Sequence, residues 1–91
     1  MDIGVLYDPR RDLECQVARH LQATLQQDLG VRVRRNYPYL GTSDGLCTSM
    51  RRRFNPNQYL GIELEVNQAR LQPGSTPWKR KLCSSLLHAL R

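Results

Sequence analysis

The sequence predicts an α/β fold: a small, mostly parallel sheet of about three strands with flanking helices. Two observations predict it. Short apolar segments with strand character alternate with segments whose apolar residues recur every four positions. Clusters of Gly, Pro, Asn and Ser separate one segment from the next. The resulting order is strand, helix, strand, short helix, strand, helix, and that alternation favours right-handed crossovers between parallel strands.

Each element has its own signal. Ile3-Gly4-Val5-Leu6-Tyr7 is an apolar run that stops at Asp8-Pro9, which reads as a buried strand. Asp8 suits an N-cap with Pro9 at the first helical position, and Leu13, Val17, Leu21, Leu25 and Leu29 mark one stripe of a helix ending at Gly30. Val31 and Val33 alternate with Arg32 and Arg34, the period of a half-buried strand. Asn36 to Gly45 is rich in turn formers and reads as a loop. Leu46, Met50 and Phe54 step by four in a short helix capped by Ser43 or Asp44, which Asn55-Pro56-Asn57 ends. Tyr59 to Val66 reads as the third strand, with Leu60, Ile62, Leu64 and Val66 on one face and Glu63 and Glu65 on the other. Gln72 to Ser75 is a turn. Thr76 then caps a last helix whose stripe is Trp78, Leu82, Leu86 and Leu90.

At 91 residues the chain is one domain, residues 1–91, or the C-terminal part of a larger one. Three strands are few for a parallel sheet, and the chain opens directly into a buried-looking strand. Both suggest that a partner chain or a missing N-terminal half completes the fold. The composition, 40% apolar and 24% charged, excludes a disordered chain. No apolar stretch reaches the ~20 residues of a membrane-spanning helix, and no membrane partner is expected. Charges interrupt residues 1–30, so no signal-peptide core is visible and a cytoplasmic location is the expectation. The three cysteines are widely spaced without a CxxC pair, which reads as reduced thiols. A net charge of +6 permits a phosphate-rich or carboxylate-bearing partner. Nucleic acid ranks last among them, because the basic residues are scattered and no recognised binding motif is present.

Three segments carry chemistry-bearing side chains. In Gly61 to Gln68, Glu63 and Glu65 share one strand face, which Asn67 continues. Ligands of open α/β sheets gather at the carboxyl ends of strands, where a glutamate serves as general base or metal ligand. A simply solvated strand face is the alternative. In Arg35 to Gly45, Tyr39 can donate a hydrogen bond to a developing oxyanion; a turn-rich connection with packed tyrosines is the other reading. In Arg51-Arg52-Arg53 a guanidinium suits capture of a carboxylate or phosphate, although at most one of the three faces a given site. The alternative is a solvated helix face. His20 and His88 sit beside apolar helix positions without a second ligand at the next turn, the pattern of core-edge or surface histidines.

The segments Asn36-Tyr37-Pro38-Tyr39-Leu40-Gly41 and Gly61-Ile62-Glu63-Leu64-Glu65-Val66-Asn67-Gln68 resemble the N-formylglutamate amidohydrolase family. The opening Ile3 to Arg10 and the run from Gly41 through Phe54 are similar to it as well. The likeness spans nearly the whole chain and only the C-terminal part of a family member. It implies a zinc-dependent hydrolase with a carboxypeptidase-like α/β fold that cleaves N-formyl or N-acyl amino acids at the amide. Glu65 aligns with the family's general base, with Glu63 as the alternative. Asn36, Tyr39 and Asn67 would border the substrate, and Arg52 or Arg53 would hold its carboxylate. The family's zinc ligands lie upstream of the part seen here: Ala23 follows His20 at the third position and Arg91 follows His88. No zinc is therefore expected on this chain alone, and the isolated chain is expected to be inactive. The competing reading is a small non-enzymatic interaction module whose exposed first strand pairs with another copy or another protein, giving a homo-oligomer through an open sheet edge.

Overall fold

The computed structural model describes residues 2–43 and 45–91. Strand β1 (Ile3–Leu6) leads to helix α1 (Asp12–Leu29), strand β2 (Val33–Arg35), helix α2 (Gly45–Arg53), strand β3 (Glu63–Val66) and helix α3 (Thr76–Ala89). Short 3₁₀ turns at Gly41–Ser43 and Gln68–Leu71 precede α2 and follow β3. The strand order is β2-β1-β3, so the first strand is central and not exposed. That placement corrects the expectation that β1 offers an open edge. Among the described residues β1 is also the one strand buried along its full length, as its uninterrupted apolar run requires.

The sheet is mixed. β2 runs parallel to β1 with Ile3 beside Val33, while β3 runs antiparallel with Ile3 beside Val66 and Leu6 beside Glu63. The expected mostly parallel sheet is corrected in this half. The reason lies between β2 and β3, where the chain stays at the carboxyl end of β1. Asn36 donates its amide to Val5 O at 2.8 Å, and Gly41 packs so closely on the Tyr7 backbone that a side chain there would collide with it. Arg51 then donates both to Gly41 O (3.1 Å) and to Gly61 O (2.8 Å), tying the two ends of the excursion together. The chain enters β3 from the end at which it left β2, and it runs back down.

Helices α1 and α3 pack on the sheet face that carries Ile3, Val5, Tyr7 and Val33, with Ala18, Leu21, Leu25 and Ala89 completing the core. The buried stripe of α1 is Glu14, Ala18, Leu21, Thr24 and Leu25, whereas Leu13 is 39% exposed. A strict four-residue step drifts ~40° per step around a helix, so the ends of a ladder of five apolar residues rotate off the core. The same drift leaves Leu90 exposed beyond α3. In α2 the buried positions are Cys47 and Arg51, and Leu46 is 70% exposed, so the expected Leu46–Met50–Phe54 stripe does not face inward.

Several boundaries move. α1 starts at Asp12 with Arg11 as N-cap, because Asp8 turns its carboxylate back onto its own loop, accepting from the Arg10 amide at 2.9 Å. Ser75 and not Thr76 is the N-cap of α3, with proline at the start of the helix as expected. Tyr59 to Ile62 lies outside β3. The capping role expected of Asp44 falls outside the described residues.

Candidate functional site

A cleft of about 270 Å³ opens at the carboxyl end of β1, lined by Leu6, Tyr39, Leu40, Ser43, Glu63 and Glu65. The register explains it. Residues paired across an antiparallel ladder share a face, so Glu65 stands beside Gly4 and Glu63 beside Leu6, opposite the helix-covered core. The segment after β2 folds over the same face and brings Tyr39, Leu40 and Ser43 to the rim. Tyr39 and Leu40 remain largely exposed there. The cleft therefore joins two carboxylates and a phenol against an apolar floor.

Not every expected residue joins them. Asn67 lies at the far end of the sheet, since β3 is antiparallel. Its amide donates to Asp2 O at 2.9 Å, and its side chain accepts from the Ala69 amide at 3.0 Å to cap a turn. Asn36 is committed to structure. It holds a left-handed backbone conformation (φ 51°), and its Oδ1 accepts from the amides of Tyr7 and Gly41, each at 3.0 Å. It thereby sets the path of the Tyr39 segment. Arg52 lines a different cleft with Asp8, Arg10, Arg11, Thr42 and Thr48, across the Gly41–Ser43 turn from the glutamates. Arg53 is exposed, with its guanidinium 5.9 Å from the centre of the Phe54 ring.

The strongest electrostatic feature is one that the sequence reading did not single out. Glu14 is 0% exposed and pairs in two-point fashion with the buried Arg51: Nε donates to Oε2 at 3.0 Å and Nη2 to Oε1 at 2.8 Å. The amides of Asp8 (2.9 Å) and Gly61 (3.1 Å) donate to the same carboxylate. Burial pushes the Glu14 carboxyl up, but the Arg51 guanidinium and the two amides together hold it below its ordinary value. Beside it, Arg11 donates to Arg51 O (2.7 Å) and Phe54 O (3.1 Å), satisfying carbonyls at the carboxyl end of α2, and to Tyr59 O (3.2 Å) in the loop that follows. A hydrogen bond to the Cys47 thiol, together with burial, pushes the Tyr59 phenol up to about 12. The signal for Glu14 was available in the spacing 14, 18, 21, 25, which is the true helical period and places an acid on the apolar stripe.

The zinc implied by the resemblance does not fit these residues. Among the described residues, no three His, Cys, Asp or Glu side chains come together as metal ligands. His88 lies on α3 against Asp28, with Nδ1 3.1 Å from Oδ2, and His20 lines an apolar groove beside Leu60 and Leu90. No described helix is long and apolar enough to cross a membrane. Comparison with protein-family models, with curated proteins and with solved structures finds no match.

Proposed function

We propose that residues 1–91 form the substrate-facing part of a hydrolase resembling the N-formylglutamate amidohydrolases, which acts on the amide bond of N-formyl or N-acyl amino acids. The observation that carries this reading is the meeting of its two motifs. Tyr39 comes from the first, Glu63 and Glu65 come from the second, and all three line one cleft.

In this reading Glu65, or Glu63 in its place, takes a proton from water as the oxygen adds to the acyl carbon. The Tyr39 hydroxyl donates to the oxyanion that forms. Collapse breaks the C–N bond, the abstracted proton passes to the departing nitrogen, and a carboxylic acid and a free amino acid leave. The resemblance gives the role of carboxylate anchor to Arg52 or Arg53; Arg52 lines the neighbouring cleft and Arg53 is exposed beside it in sequence. Among the described residues the cleft offers the carbonyl only the hydroxyls of Tyr39 and Ser43 and no cationic side chain, so the chain alone binds substrate without turning it over.

The test is a titration with N-formyl-leucine and N-formyl-glutamate, followed by NMR and by assay for released amine. The expected result is millimolar binding, with shifts concentrated at Leu6, Tyr39, Glu63 and Glu65 and no amine released. Tyr39→Phe should weaken binding about fivefold, the value of one hydrogen bond. Shifts confined to other surfaces, or none at millimolar ligand, would overturn the reading.

A further inference from the structure

The two edges of the sheet are treated differently. In β1, Ile3 N donates to Arg32 O (3.2 Å) and Val5 O accepts from Asn36 N (2.8 Å), so odd-numbered residues address β2. Even-numbered residues address β3: Asp2 O accepts from Asn67 N at 2.9 Å, and Gly4 and Leu6 stand opposite Glu65 and Glu63. The outward-facing backbone groups are then those of Val33 and Arg35 on the β2 edge, and of Leu64 and Val66 on the β3 edge. On the β2 edge α1 closes those of Val33, for Gln22 Nε2 donates to Val33 O at 2.8 Å and Val33 N donates to Gln26 Oε1 at 3.3 Å. On the β3 edge no such side-chain bond to Leu64 or Val66 occurs among the described residues, and β1 is the only element with which β3 packs extensively.

We infer that the β3 edge is a docking site for an extended segment of a partner polypeptide in which Lys or Arg alternates with apolar residues. Backbone pairing with Leu64 and Val66 supplies the affinity of an added strand. Side chains of such a strand alternate between the two sheet faces, as those of β3 do. One set continues the apolar face of Leu64, which packs against the core. The other set stands beside Glu63 and Glu65, and opposite charges across neighbouring strands attract. The same argument rejects a second copy. Antiparallel pairing of two β3 strands about Leu64 sets Glu63 of one beside Glu65 of the other, gathering four carboxylates on one face.

The experiment uses the full chain and two capped hexapeptide probes, one alternating valine with arginine and one alternating valine with glutamate. Amide hydrogen exchange is followed by NMR at low salt. The arginine peptide should slow exchange at Leu64 and Val66 at least tenfold and leave Val33 unchanged. It should bind about tenfold more tightly than the glutamate peptide. Glu65→Gln should reduce that preference, and Glu65→Lys should abolish or invert it. If Glu65→Lys fails to fold, the Gln variant and the salt dependence of the wild-type preference carry the test. Equal protection by both peptides, no protection by either, or protection that grows with protein concentration without peptide would each overturn the inference.

Discussion

At the scale of single residues, the pair Glu14–Arg51 organises the candidate site. Its two side chains gather two amides, Asp8 N and Gly61 N, and two carbonyls, Gly41 O and Gly61 O, from three separate stretches of chain. Removing one partner strands the other charge in the interior, which destabilises by ~3–5 kcal/mol. A domain of this size holds only about 5–15 kcal/mol in total. Glu14→Ala is therefore expected to lower the urea midpoint sharply, and a shift equivalent to less than about 1 kcal/mol would refute the role given to the pair. Buried ion pairs elsewhere are often replaced without loss by apolar side chains of similar volume. Here the double variant Glu14→Leu with Arg51→Met should recover only part of the loss, because the amides of Asp8 and Gly61 and the Gly61 carbonyl lose the hydrogen bonds that the pair gives them. The fit around the pair is also close. A Cβ on Gly61 would lie 2.8 Å from Arg51 Nη2.

At the scale of elements, the closure of Val33 on the β2 edge is a property of α1. Gln22 and Gln26 are one turn apart on the helix and reach the two outward groups of Val33. Replacing both by alanine removes two hydrogen bonds worth ~1 kcal/mol each and exposes a strand edge. The expected outcome is faster exchange at the Val33 amide and a concentration-dependent tendency to associate, measured by light scattering; unchanged exchange at Val33 would refute it. Element identities were legible in the sequence because period and punctuation are local. The apolar run at Ile3–Leu6 became the buried strand, and the leucine ladder became α1. Glu63 and Glu65 do share a face, and they do meet Tyr39. What was not legible was direction. Nothing in the period of Leu64 and Val66 states whether β3 runs up or down, and the direction is set by long-range bonds from Arg51 and Asn36. That one inversion carried Asn67 to the far end of the sheet. The choice among Arg51, Arg52 and Arg53 was hidden for the same reason, since only the position of Glu14 on a distant helix decides which arginine turns inward.

At the scale of the whole molecule, the carboxylates set the pH range over which the fold survives. Among the described residues, Asp2, Asp8, Glu14 and Asp28 lie below their ordinary values of 3.8 for aspartate and 4.5 for glutamate. The Arg32 amide and then Arg70 lower Asp2 against the pull of burial, and Arg10 lowers Asp8. In Glu14, burial is outweighed by Arg51 and two amides, and His88 and Ser85 lower Asp28. Groups depressed in the fold bind protons more readily in the unfolded chain. Their contribution is thus present above the unfolded values and disappears as pH falls through the folded ones. Tyr59 acts in the opposite sense at the other end. Raised from 10.0 to about 12, it favours the fold below its unfolded value and ceases to do so as pH climbs through the folded one. Protonation also adds to a net charge that is already +6, so self-repulsion works in the same direction on the acid side. The melting temperature should be level from roughly pH 5 to roughly pH 9, fall steeply below about pH 4, and fall again above about pH 10. Glu14→Gln should melt lower throughout and show a shallower acid limb, because one of the coupled protons is gone. Circular dichroism melts across this range give both results. A melting temperature that rises on acidification, or an acid limb unchanged in Glu14→Gln, would show that the Glu14–Arg51 pair does not govern the fold.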